Sequence, residues 1–261
     1  MISSKHNPKI KWVSSLQTNS RFRRKENLFV VEGIRLVEEA LESNWKVVLI
    51  LHTEDLNQRG KKLIKELINK DVLVKPVTAK IMQTISDTET PQGVLAVLEW
   101  EKLQYCEPLD FIMIVDSIRD PGNLGTMIRT ADAAGVQAFF TTPGTVDFLS
   151  PKVLRAAMGG HFHIPIASLD FEQIKKQSRG MQFYLASVYD GIPYTHINFQ
   201  EPTALIIGGE AEGASSQAYQ LTDGLVHIPM VGRSESLNAA IAAGILLFEV
   251  VRQRHLSEMK K

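Results

Sequence analysis

Apolar and polar positions alternate in two successive blocks along this chain. In the first block, apolar runs predict strands at 28–31, 47–51, 72–74 and 94–98. Helical spacing fills the intervals at 34–41, 61–68 and 79–85, and 9–16 adds an N-terminal helix. In the second block, strands are expected at 111–115, 138–140, 183–187, 204–207 and 225–228. Strands alternating with helices imply sheets covered by helices, so the expected class is α/β. The blocks divide as an N-terminal domain over 1–100, a polar linker over 101–108 ending at Pro108, and a second domain over 109–261.

Several helix starts carry their own chemistry. Ser150-Pro151 pairs an N-cap residue with a proline at the first helical position. Asp170 with Gln173 has capping-box spacing. The last helix is expected over 236–254. Small residues (Ala239, Ala240, Ala242, Ala243, Gly244) and a wide apolar arc (Leu237, Ile241, Ile245, Leu246, Phe248) suit burial on more than one side. A subunit interface or a central core helix would supply that.

Composition narrows the class. With 44% hydrophobic and 22% charged residues, the chain is globular, and its formal net charge is zero. The distribution is uneven: Lys5, Lys9, Lys11, Arg21, Arg23, Arg24 and Lys25 all precede the first acidic residue, Glu26. Such an arm suits binding to phosphates. The single cysteine, Cys106, excludes an intrachain disulfide and has no evident activating neighbours. No signal peptide and no membrane-spanning run are read, so a cytoplasmic protein is expected.

Three segments at predicted strand ends carry candidate chemistry. Asp120-Pro121-Gly122-Asn123-Leu124-Gly125 leads into a helix bearing Arg129. Asn123 offers donors and an acceptor, Arg129 a permanent cationic fork. Ile206-Ile207-Gly208-Gly209-Glu210-Ala211-Glu212-Gly213 leaves bare backbone at a strand end, without dinucleotide-binding spacing. His227-Ile228-Pro229-Met230 runs on to Ser236-Leu237-Asn238, where a helix opens and Ser236 suits the cap. Loops at strand C-terminal ends of one α/β domain converge into a crevice.

Taken together, Asn123-Leu124-Gly125-x3-Arg129, Gly208-Gly209-Glu210-x2-Gly213 and Ile228-Pro229-Met230-x5-Ser236-Leu237-Asn238 resemble the three motifs of the SpoU/TrmH branch of the SPOUT RNA methyltransferases. The match spans about residues 115–254, in the family's order. The first block resembles the substrate-binding domain of the ribosomal RNA members, through Phe29-Val30-Val31-Glu32-Gly33 and Pro91-Gln92-Gly93-Val94-Leu95-Ala96.

The resemblance implies methyl transfer from S-adenosylmethionine to a ribose 2′-hydroxyl of structured RNA, ribosomal RNA first and transfer RNA as the alternative. It implies a C-terminal trefoil knot and a homodimer. It assigns Asn123, Arg129, Glu210, Ser236 and Asn238 to the catalytic site, and Gly208, Gly209, Ile228, Met230 and Leu237 to the cofactor. A guanidinium is a poor base. Arg129 is therefore expected to grip a phosphate and stabilise the developing alkoxide, with Asn123 orienting Arg129 or the hydroxyl. Glu210 would hold Asn123 or a loop amide, and Ser236 and Asn238 would fix the motif loops. Arg21, Arg23, Arg24 and Lys25 are the residues expected to bind RNA, with Lys152 and Arg155 as weaker candidates.

Other classes compete less well. His161-x-His163 lacks further ligands at metal spacing. Gly213-Ala214-Ser215-Ser216-Gln217 lacks the last glycine of a nucleophile elbow, and no phosphate-binding P-loop occurs. A nucleotide-binding oxidoreductase and a non-catalytic RNA-binding protein of the same fold are the remaining alternatives.

Overall fold

The computed structural model describes all residues except 44, 71, 102, 103, 106, 211 and 259–261, and the backbone alone at 256–258. Cys106 and part of the expected linker therefore lie outside the described residues. Two compact units emerge: 1–101 with 147–162, and 102–146 with 163–261.

In the first unit, Asn7 and Asn19 cap α1 (Pro8–Thr18) and α2 (Ser20–Glu26), accepting from Lys9 N and Phe22 N. There follow β1 (Leu28–Glu32), α3 (Ile34–Glu42), β2 (Val47–His52), α4 (Gln58–Asn69), β3 (Val74–Pro76), α5 (Ala79–Ile85) and β4 (Val94–Glu99). The sheet order is β1-β4-β2-β3, with β4 antiparallel to both its neighbours and β2 parallel to β3. Because side chains alternate along a strand, Val30, Leu49, Leu51, Leu95 and Val97 share one buried cluster with Ile10, Val13 and Leu16 of α1 and Ile81, Met82 and Ile85 of α5. Phe29, at an alternate position of β1, meets Trp45, Trp100 and Phe162 instead.

Phe162 arrives from the second block. The segment 147–162, including α7 (Pro151–Ala157), packs in this unit. Phe148 lies against Trp100 and His161, and Phe162 against Trp45. Arg155 pairs with Asp87 at 2.7 Å. Ser150 is the residue before α7, but its side chain makes no cap hydrogen bond and its Oγ is buried without a partner.

The second unit is built on one parallel sheet. Its strands are β5 (Phe111–Asp116), β6 (Ala138–Thr141), β7 (Ile166–Ser168), β8 (Gln182–Ser187), β9 (Ile192–Pro193), β10 (Thr203–Gly208) and β11 (Gly224–His227). The order is β7-β6-β5-β10-β8-β11-β9, every pair parallel. The helices are α6 (Pro121–Ala133), α8 (Phe171–Gln177), α9 (Ser216–Leu221) and α10 (Ala239–Glu258). Strands buried on both faces read as unbroken apolar runs: β5 is buried at all six positions. One face packs Ile112, Ile114, Phe140, Phe183 and Ile206 against Ile174 of α8 and Ala218 of α9.

The capping box at Asp170 is present. The start of the last helix needs correction: α10 opens at Ala239, and Asn238, not Ser236, caps it by accepting from Ala240 N and Ile241 N. Its C-terminal part is tied down by Arg254, which donates to the carbonyls of Phe199, Asp110 and Glu201 and lies over the Phe111 ring. Leu246, Leu247 and Val250 are buried, whereas Ile241 and Phe248 on the outer side are about half exposed. No helix among the described residues is long and apolar enough to cross a membrane.

Candidate active site

Three loops leave the C-terminal ends of β5, β10 and β11, and β5 and β10 are neighbours in the sheet. The first loop is set by Asp116, which is 1% exposed. Its Oδ1 accepts from Thr142 Oγ1 at 2.7 Å and its Oδ2 from Ser215 N at 2.6 Å. This buried carboxylate thus ties the end of β5 to β6 and to the start of α9. Next, Ser117 takes a left-handed conformation, φ +59°. A non-glycine residue there is uncommon and marks an imposed turn.

The turn delivers Asp120 to the start of α6, where Oδ1 accepts from Asn123 N at 2.7 Å. Asn123 is thereby held in the first turn of the helix. The second loop, after Gly208, folds back on itself through Gly209 N donating to Gly213 O at 3.1 Å. Gly209 is required by packing, because a Cβ there would lie 2.8 Å from Ser117 O.

The three loops are joined side chain to side chain. Asn123 Nδ2 donates to Glu210 Oε1, and Asn238 Nδ2 donates to Asn123 Oδ1 at 3.0 Å. Asn238 Oδ1 is in turn occupied by Ala240 N at 2.9 Å and Ile241 N at 3.2 Å. One residue from each motif thus forms a continuous chain ending on the N-terminus of α10. A cleft beside it is lined by Ser117, Arg119, Gly209, Glu210, Glu212 and Gly213. Arg119 and Glu212 face each other at 3.1 Å across its rim; both are largely exposed, so the pair adds little stability.

Other residues fall differently. Arg129 is exposed on the outer face of α6, in line with Gly122 and Thr126, and has no hydrogen-bond or ion-pair partner among the described residues. Asn123's amide is turned to Glu210 and Asn238 rather than to Arg129. Ser236 is exposed and outside the hydrogen-bonded chain. Gly208 closes β10, Ile228 follows β11, Met230 stands exposed in the third loop, and Leu237 is half-buried just before Asn238. Motif spacing does not single out Asp116, Ser117, Arg119 or Glu212; the polar end of the β5 apolar run is the available signal.

The basic arm needs one correction. Arg23 is 4% exposed. Its Nε and Nη2 donate to Asp147 Oδ2, at 3.0 and 2.6 Å. Its Nη1 donates to the carbonyls of Leu16 and Gln17 at the end of α1. A guanidinium satisfied in this way is structural and is not offered to a phosphate. Arg21, Arg24 and Lys25 are exposed. Arg155 is engaged with Asp87, and Lys152 is exposed.

The histidine pair separates as well. His161 is buried in the first unit, with Nε2 2.7 Å from Phe148 O, while His163 in the second pairs with Asp132 at 3.0 Å. Burial pushes His161 down to about 4. Among the described residues no group of three or more His, Cys, Asp or Glu is placed to hold a metal.

Comparison with known proteins identifies the family. Residues 110–248 match the SpoU rRNA Methylase family, and residues 7–96 match the MRM3-like substrate binding domain. The chain is 36% identical to the 23S rRNA (guanosine(2553)-2′-O)-methyltransferase RlmP of Bacillus subtilis over 95% of its own length and 98% of the relative's. An AdoMet-bound rRNA methyltransferase from Sinorhizobium meliloti superposes with a TM-score of 0.84 at 32% identity, covering 96% of this chain and 97% of that one. The SpoU methyltransferase AviRb from Streptomyces viridochromogenes, in complex with AdoMet, gives a TM-score of 0.84 at 27% identity, covering 96% of this chain and 100% of that one. The second unit therefore has the α/β parallel-sheet fold of the SPOUT methyltransferases, and the chain belongs to the SpoU rRNA methylase family.

Proposed function

We propose that this protein transfers a methyl group from S-adenosylmethionine to a ribose 2′-hydroxyl of ribosomal RNA. The observation that carries this reading is the hydrogen-bonded chain Glu210–Asn123–Asn238, which joins all three motif loops at the carboxyl edge of one parallel sheet. Ribosomal RNA is favoured over transfer RNA because RlmP is a 23S rRNA enzyme and matches almost end to end.

The residues fit the cofactor. Gly209 and Gly213 expose backbone at the end of β10, with open space around Gly213. Ile228, Met230 and Leu237 offer apolar cover from the third loop. S-adenosylmethionine supplies a methyl group on a sulfonium, which leaves readily as a thioether. The protein's task is to align the hydroxyl and manage its proton; alignment alone is worth roughly 7–11 kcal/mol when well organised. Arg129, exposed and without a partner among the described residues, grips the phosphate beside the target ribose and stabilises the developing alkoxide. Arg21, Arg24 and Lys25 on α2 hold more of the RNA backbone.

The finer features follow the family. The C-terminal segment is read as a trefoil knot through which α10 is threaded. The outer stripe of α10 is read as the seam of a homodimer, and the cytoplasm as the place of action.

Incubation with labelled S-adenosylmethionine and total RNA, followed by mapping of alkali-resistant positions, tests the activity. Label confined to one ribosomal RNA ribose is expected. Label in transfer RNA alone would move the substrate, and no label in any RNA would overturn the enzyme reading. Arg129→Ala should abolish turnover while cofactor affinity, read by calorimetry, changes less than tenfold.

A further inference from the structure

Methylating a ribose hydroxyl requires a proton acceptor, and the three loops offer few. Arg129 stays protonated, and Asn123, Ser236 and Asn238 carry no basic group. Both oxygens of Asp116 are occupied in the interior. Asp120 caps α6, and Glu212 faces Arg119. His227 is turned to Gly191 O, 3.0 Å from its Nδ1. Glu235 is exposed and takes no part in the hydrogen-bonded chain. Glu210 and Glu212 both line the cleft, both are exposed and each has one engaged oxygen. Glu212 is engaged by the Arg119 guanidinium, whereas Glu210 Oε1 is held by the Asn123 amide of the motif chain and its Oε2 has no partner among the described residues.

The direction of the hydrogen bonds adds a second constraint. Backbone N–H groups can only donate, so Ala240 and Ile241 fix Asn238 with its Oδ1 toward the helix. Its Nδ2 must then donate to Asn123 Oδ1. That leaves Asn123 Nδ2 facing Glu210, which must accept. The start of α10 thus dictates, two side chains away, that Glu210 is an acceptor.

Resting on the methyltransferase reading, we propose that Glu210 is the proton acceptor of the reaction, with Asn123 and Asn238 as positioning residues that aim its carboxylate. The 2′-O–H bond breaks and its proton passes to Glu210 Oε2. The oxygen's electron pair forms the bond to the methyl carbon as the carbon–sulfur bond breaks and leaves its pair on sulfur. The carboxylate and the sulfonium are both neutralised, and Glu210, being exposed, returns its proton to solvent.

Glu210→Gln tests this in the full-length protein, because its amide oxygen still accepts from Asn123 while its basicity is gone. Single-turnover methyl transfer to deproteinised ribosomal RNA should fall about 10²–10⁴-fold, and the acid limb of the pH–rate profile should vanish. S-adenosylmethionine affinity by calorimetry and RNA affinity by filter binding should stay within about threefold of wild type. Asn123→Ala keeps the base but frees it, so its rate should fall while the acid limb persists. A Glu210→Gln rate within tenfold of wild type, a retained acid limb, or cofactor affinity lost in step with rate would overturn the proposal while the functional reading stands. No transfer by the wild-type protein would overturn both.

Discussion

Removing the Arg23 guanidinium would strand the Asp147 carboxylate and the carbonyls of Leu16 and Gln17 in the interior. Breaking a buried pair from one side costs about 3–5 kcal/mol, so Arg23→Ala should lower the urea midpoint sharply. Glutamates in place of Arg21, Arg24 and Lys25 should leave that midpoint nearly unchanged. They should weaken RNA binding and flatten its salt dependence, by roughly 0.7–0.9 in the log–log slope for each phosphate no longer neutralised; an unchanged slope would remove them from the interface. Nothing in the run Arg21-Phe22-Arg23-Arg24-Lys25 separates these residues. Arg23 differs only because the helical turn points it back at the end of α1. His161 carries a pH signature. Its value falls from 6.5 to about 4 on folding because burial penalises the charged ring. The unfolded chain then binds the extra proton between those values. The associated stability is complete above about 6.5 and is lost as pH falls through about 4. Stability should drop by about 2 kcal/mol between pH 7 and pH 5, read by urea unfolding at each pH, and His161→Phe should flatten that drop.

Elements with long apolar runs are legible in the sequence, and short or context-dependent ones are not. β5, β8, β10 and β11 stand within a residue or two of their expected bounds because each carries an apolar run, buried at nearly every position in the central β5 and β10. β7, β9 and α9 are too short to show a period. β9 further depends on Gly191, at φ +113°, lying so close to Leu225 that a Cβ would come within 2.3 Å of its carbonyl oxygen. α10 has a reading with a test. Its inner side is covered by its own chain, while Ile241 and Phe248, two turns apart, are not. If that stripe is the homodimer seam, Phe248→Glu should convert the species seen by light scattering from dimer to monomer. A wild-type monomer at micromolar concentration would sink the seam. Spacing names the motif residues but does not give their order of bonding. That order depends on α10 starting after Asn238 rather than at Ser236, a difference of less than one turn.

At the scale of the molecule, alternation of strand and helix reveals two α/β blocks, but the units they form in space do not follow the chain. The segment 147–162 sits inside the second block in sequence and completes the first unit in space. Its contribution is aromatic: Phe148 and Phe162 close the cluster that holds Trp45 and Trp100. No local pattern announces that, because an apolar helix shows what it buries and not where. A fragment of residues 1–101 should accordingly unfold at lower urea than the first unit does in the whole protein, with red-shifted tryptophan emission. A peptide of residues 147–162 added in excess should shift that emission back. Equal midpoints for fragment and whole would show the segment to be incidental.

The same segment sets a schedule. A ribosome releases the first unit's sequence up to Glu101 and must then make roughly 60 more residues before Phe162 exists. At about 5–20 residues per second that is on the order of 3–12 s. Through that interval the nascent unit has Phe29, Trp45 and Trp100 but neither Phe148 nor Phe162. The first unit is thus exposed to chaperones for longer than the stretch 1–101 alone would require, and it is finished only once Phe162 has been made.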